Sequence, residues 1–224
     1  MSEVDLRLDW CSYEAAKYAV EHWHYSETLP AGKLVKVGAW EDGAFVGVVV
    51  FGRGANNNLG KPFGLEQTHV CELVRIAMKQ HKSMVSKVRA FAIKMLKKQS
   101  PELRLIVSYA DPEQNHNGAV YQAMNWIYAG ASQAQAEVMY NGKVMHKRTA
   151  NALFGTIKGM DKSPVFWKHK YLYPLDDAIR KQIEPLRKPY PKRGIGETDN
   201  APATKQEIEG ASPIMPLSDI HKVD

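Results

Sequence analysis

Several things are scarce in this sequence. It has only two cysteines, Cys11 and Cys71, too few for a disulfide framework and too widely spaced for a zinc motif. A reducing compartment is the simplest setting. No apolar run approaches the roughly 18 residues of a membrane span. The acidic start "MSEVDLRLD" has none of the basic and apolar regions of a secretory leader, so a cytoplasmic protein off the membrane is expected. The glycine patterns of P-loop and dinucleotide-binding folds are also missing; Gly52-Arg53-Gly54 meets neither.

What remains is an ordinary globular composition with an uneven charge. The 224 residues are 44% hydrophobic and 24% charged, with a net charge of +6, which hints at an anionic partner. The excess lies near 158–193, where Lys168, Lys170, Lys188, Lys192 and Arg193 are interleaved with Trp167, Tyr171, Tyr173 and Tyr190. Beyond Gly194 the chain is acidic and rich in Pro, Ala and Gly, the composition of a mobile tail. The expected division is therefore a folded domain over 1–157, a basic, aromatic extension packed on it over 158–193, and a disordered tail over 194–224.

Periodicity within the body alternates. "SYEAAKYAVEHWHYS" has helical spacing behind a Ser12 N-cap. "KLVKVGAWEDGAFVGVVVFG" reads as two strands around a turn at Asp42-Gly43. "THVCELVRIAMK" is a strand. "MVSKVRAFAIKMLKKQ" is a helix with Val85, Val88, Phe91, Ala92, Met95 and Leu96 on its apolar face. A buried strand "LRLIVSYAD", a helix "NGAVYQAMNW" and a hairpin turned at Asn141-Gly142 follow. The sum is one mixed α/β sheet flanked by helices.

That succession resembles the GNAT (Gcn5-related N-acetyltransferase) fold, with a strongly twisted mixed sheet. "NHNGAVYQAMNW" places Asn115 and Tyr121 where the family carries an Asn and a general-acid Tyr, although Asn125-Trp126 stands for the usual Gly-Phe. The loop "KQHKSMVSK" lacks the family's glycines. By that resemblance acetyl-CoA or a related acyl donor would lie along Ile76 and Met78, with Lys82, Ser83, Ser86 and Asn115 also in contact. The ordered set "WHYSETLPAGKLVKVGAWEDG", "CELVRIAM", "VSYADPEQNHNGAVYQAMNWIYAG", "HKRTANALFG" and "KHKYLYPLD" resembles a narrower group, the phage Mom proteins. This implies an enzyme that places a carbon-linked acetamide (methylcarbamoyl) group on adenine N6 in double-stranded phage DNA, shielding it from host restriction.

Such a reaction fits "HWHYS" and "SYADPEQNH". The N6 lone pair of adenine is delocalised into the ring, so its modification needs a proton acceptor and exclusion of water. The base must also leave the stack and be gripped by rings and polar groups. His24 and Tyr25 offer a base, a stacking face and a phenol; Asp111 can orient a histidine or take the N6 proton; Tyr121 is the acid candidate. The competing structural reading makes His24 a helix-end cap, Asp111 and His116 turn and capping residues, and Tyr121 a packing residue. Glu72 and Arg75, an odd number apart on a strand, would face opposite sides. His22, His24 and Asp111 are candidates for a redox metal such as iron. The DNA-facing set is Arg53, Lys147, Arg148, Lys168, Lys170, Lys188, Lys192 and Arg193. Other readings are an N-acyltransferase on a small amine or protein lysine and a non-catalytic DNA-binding module; oligomeric state is open, a homodimer included.

Overall fold

The computed structural model describes residues 4–54, 57–114, 116–133, 137–145, 147–163 and 167–192; Asn115, Arg193 and the tail lie outside them, and so does the side chain of Arg148. Among these residues are nine strands: β1 Leu6–Trp10, β2 Leu34–Glu41, β3 Ala44–Gly52, β4 Val70–Met78, β5 Leu105–Ala110, β6 Ile127–Gln133, β7 Val138–Tyr140, β8 Lys143–Met145 and β9 Trp167–Pro174. The helices are α1 Tyr13–Trp23, α2 Val85–Gln99, α3 Ala119–Gln122, α4 Lys147–Phe154 and α5 Asp177–Ile183. Seven strands form one sheet in the order β1-β2-β3-β4-β5-β9-β6, while β7 and β8 pair as a separate hairpin.

The local signals act as expected in several places. Ser12 Oγ accepts the Ala15 amide at the start of α1, a cap of about 1 kcal/mol. Asp42 and Gly43 turn β2 into β3 with φ of 51° and 80°, the positive pair that a two-residue hairpin requires. Asn141 and Gly142 do the same between β7 and β8, at 49° and 72°. The "NGAVYQAMNW" segment gives a single helical turn, because Gly118 begins it at φ 87° with the Tyr171 ring pressed against the glycine.

The sheet is covered on both faces. On one, α2 and α3 pack Val88, Ala92, Leu96 and Tyr121 onto Phe51, Ile106, Trp126 and Tyr171. On the other, α1 packs on β2–β4 and α5 on β5, β9 and β6. On α2, Phe91 is 45% exposed while Arg89 is buried at 0%. The helix thus turns a cation inward where the sequence offered an aromatic ring.

Residues 167–174, within the segment expected as an extension, form an interior strand antiparallel to both β5 and β6. Alternating "YLY" side chains supply both faces, which explains aromatics placed among lysines. Two irregularities then shape the centre. β4 and β5, the parallel pair, hydrogen-bond only from Val70↔Leu105 to Glu72↔Val107, and beyond that point they diverge into a fork. Opposite β3, the register steps from Phe51↔Leu73 to Val50↔Arg75. Val74 is therefore a bulged residue, which resets the alternation of the strand. Glu72 and Arg75 consequently interact electrostatically, contrary to the odd-separation argument.

Candidate functional site at the strand fork

The "HWHYS" stretch splits at the end of α1. His22 stays on the helix, stacks on Tyr18 at 4.1 Å and bonds through Nδ1 to the Tyr18 carbonyl at 2.8 Å. His24 has extended backbone, φ −121° and ψ 137°, and is buried at 5% exposure. Its Nδ1 accepts the Ser26 amide at 3.1 Å and lies 2.8 Å from the Ser26 hydroxyl. An Nδ1 that accepts from an amide carries no proton, so neutral His24 holds its hydrogen on Nε2. Burial first, then the charges of Arg75 and His116, lower its pKa to about 3. In this setting His24 is neutral, with its N–H on Nε2.

Tyr25 links this turn to the end of β5. It stacks on His24 at 4.4 Å and meets His116 edge-on at 5.5 Å. His116 is brought there by a turn in which the Asp111 carbonyl accepts the amides of Gln114 and His116 at 3.0 and 3.1 Å. Burial raises the Tyr25 pKa, the Asp111 carboxylate raises it further, and Arg75 opposes both. Arg75 Nε donates to Thr28 O at 3.3 Å and Nη1 to Val74 O at 2.7 Å. The bulged strand thereby holds the His24 turn. Asp111 also pairs with Lys168, Oδ2 to Nζ 3.2 Å. Tyr25 thus brings the His24 and His116 rings together within reach of the Asp111 and Arg75 charges.

Beneath the fork, Ser108 Oγ donates to Leu73 O at 2.8 Å and lies 2.7 Å from the Tyr121 hydroxyl. The serine has one hydrogen, already committed, so the phenol is the donor between them. Arg89 sits 5.1 Å from the Tyr121 ring and 5.7 Å from the Trp126 ring. Its Nη1 and Nη2 have no hydrogen-bond partner among the described residues, and burial lowers its pKa to about 10. Tyr121 is buried and phenolic, its pKa raised by that burial despite the Ser108 bond and the nearby Arg89 charge.

Other candidates fall elsewhere. The Lys82 and Ser83 amides donate to the Glu41 carboxylate at 2.8 and 2.6 Å, and Lys82 Nζ lies 3.6 Å from Asp42. Both residues are thus committed to the protein's own carboxylates. Ser86 lies in the first turn of α2, whose N-cap, Met84, makes no side-chain cap. Ile76 lies on β4 beyond the fork, whereas the Met78 side chain is buried in the core. Arg53 is exposed just past β3, where β4 begins rather than where β5 ends. Lys170 turns over the Phe63 ring at 4.8 Å instead of outward. Lys188 is exposed and lies along Gly130, Lys192 is exposed, and the Lys147 amide caps onto Glu137. His22 and His24 do not join Asp111 in a ligand set, and among the described residues no group of three His, Cys, Asp or Glu side chains is placed to hold a metal.

A mixed seven-stranded sheet that forks between its central parallel strands, with ionisable and aromatic side chains at the fork, is a GNAT-like architecture. Among solved structures the chain is similar to Arabidopsis thaliana NAA60 in complex with a bisubstrate analogue, at 11% identity, TM-score 0.45, covering 76% of this chain and 99% of that one. It is also similar to FeeM, an N-acyl amino acid synthase from uncultured soil microbes, at 10% identity, TM-score 0.43, covering 80% and 94%. The model of the Mom protein family matches residues 5–192, and the chain belongs to that family. It is 26% identical over 204 residues to the methylcarbamoylase Mom of Escherichia phage Mu, covering 84% of each.

Proposed function

We propose that this protein is a DNA-modifying transferase acting on the N6 amino group of adenine in double-stranded DNA, installing a methylcarbamoyl group that protects phage DNA from restriction. The observation that carries this reading, in a chain of the Mom family, is the meeting of Tyr25, His116 and the Asp111 carboxylate beside the strand fork. Tyr25 and His116 supply ring faces and edges for an extruded purine. Asp111 is the proton acceptor: as the N6–carbon bond forms and the bond from that carbon to the donor's leaving group breaks, the N6 proton passes to its carboxylate. Lys168, 3.2 Å away, pairs with that carboxylate and adds a cation near the phosphodiester. Neutral His24, locked by Ser26, keeps Tyr25 in place and presents Nε2–H as a donor.

An acyl donor fits the fork. Among the described residues β4 past Glu72 pairs with no strand on the β5 side, so the backbone around Ile76 can hold an extended amide-bearing arm. Acyl transfer alone would join N6 to the donor's carbonyl carbon with release of its thiol, so the methylcarbamoyl group, joined through its methylene, needs chemistry and a nitrogen source beyond that transfer. A diphosphate would meet the first turn of α2 and Ser86 rather than Lys82 and Ser83, whose amides Glu41 takes. Iron does not fit the described residues, and no step is assigned to it.

The test is to digest DNA from cells expressing the protein and weigh the nucleosides. The expected result is a heavier deoxyadenosine, lost about 10²–10⁴-fold with Asp111→Asn, the range for removing a general base. Acyl transfer to free amines with unmodified DNA would favour the small-amine or lysine acyltransferase, and salt-sensitive DNA binding alone would favour the binding module.

A further inference from the structure

The family match does not say how a duplex base reaches the fork. Trp167 opens β9 with 56% of its surface exposed. Single exposed apolar side chains are common, so its position matters more than its exposure. The next residue, Lys168, is the ion-pair partner of Asp111. Two residues on, His169 pairs with Ala110, the last residue of β5, and on its other side with Ala131. By strand alternation Trp167 lies on the same face as His169, the face that carries Tyr128 and Tyr121. The chain leaves the sheet at Gln133, the register partner of Trp167, to build the β7–β8 hairpin and α4. The indole therefore stands at the root of that excursion, at the same end of the sheet as the Asp111 carboxylate, though alternation puts Lys168 and its Asp111 partner on the opposite face.

We propose that Trp167 enters the duplex and stacks in the gap left by an extruded adenine, so that one end of the sheet both opens the stack and receives the base. This rests on the DNA-adenine reading above. A large flat ring suits such a gap, because stacking accepts any neighbouring base pair. The adjoining Lys168 and the net charge of +6 complement the phosphates on either side. Because Trp167 is exposed, its replacement leaves the core intact.

The experiment uses duplexes in which 2-aminopurine replaces an adenine that the protein modifies. Wild type should raise its fluorescence on binding. Trp167→Ala should lower the extrusion equilibrium about 5- to 150-fold, equivalent to a stacking contribution of about 1–3 kcal/mol per base, while affinity measured by anisotropy falls less. Trp167→Phe should recover most of the signal. A Trp167→Ala protein that extrudes and modifies adenine as wild type does would overturn the role of Trp167 alone. So would a wild-type protein that modifies adenine without any fluorescence rise. If wild type yields no modified deoxyadenosine in any duplex, the functional reading itself falls.

Discussion

Acid should weaken this protein through one buried imidazole. His24 has a folded pKa of about 3 against an ordinary 6.5. Above pH 6.5 it is neutral in both folded and unfolded chains and stability does not depend on it. Below 6.5 the unfolded chain takes a proton that the folded chain refuses, so stability falls until pH approaches 3. At about 1.36 kcal/mol per unit, the loss is about 2 kcal/mol by pH 5 and about 5 kcal/mol near pH 3. The local geometry gives the reason: a proton on Nδ1 would point at the Ser26 N–H, whose nitrogen is 3.1 Å from Nδ1. His24→Asn keeps an acceptor near the Nδ1 position and cannot titrate. Urea unfolding followed by circular dichroism at pH 8, 6 and 5 should show the wild type losing about 2 kcal/mol more than the variant over that range. Parallel pH dependences in the two proteins would refute the neutral-histidine account.

Three further outcomes follow from the same structure. Arg89→Met removes a buried cation whose depressed pKa corresponds to about 3 kcal/mol of burial penalty, part of it offset by two ring contacts. The variant should be more stable by about 1–3 kcal/mol in thermal unfolding, with a higher phenol pKa for Tyr121 by carbon-13 NMR; a lower Tm would contradict this. Ser108→Ala strips the Tyr121 hydroxyl of its buried acceptor and should reduce stability by about 1–3 kcal/mol, with Ser108→Thr recovering the phenol's chemical shift. Glu41→Ala frees the Lys82 and Ser83 amides, so their hydrogen exchange should accelerate while that of the β2–β3 ladder stays unchanged; protected amides in the variant would show that another group holds the loop.

The sequence made some of this legible and concealed the rest for physical reasons. Ser12, Asp42-Gly43 and Asn141-Gly142 announced their caps and turns because those effects are local. The His24, Tyr25 and Asp111 cluster was visible because polar and aromatic residues crowd next to strand and helix ends. Arg75 was hidden, since its placement depends on a bulge at Val74 that only the pairing with β3 reveals. Ser108 looked like one small residue in an apolar strand, yet it lies just where β4 and β5 separate. Arg89 lies on the regularly spaced buried stripe Val85, Val88, Arg89, Ala92, Ile93 and Leu96, but its charge conceals it and Phe91 reads as the inward ring; the rings of Tyr121 and Trp126 receive the guanidinium instead. In β9, lysines signalled a surface arm while the alternating tyrosines and leucine built an interior strand. In the glycine-poor loop before α2 the Lys82 and Ser83 amides are taken by Glu41, a partner 41 and 42 residues away that no local pattern announces.

A crystal structure of the protein bound to an adenine-containing duplex is the decisive measurement for the site at the strand fork. One adenine should stand out of the stack, its ring against Tyr25 and His116 and its N6 within hydrogen-bonding distance of the Asp111 carboxylate. An adenine still paired in the duplex, or seated away from the fork with Asp111 facing no base, would contradict it.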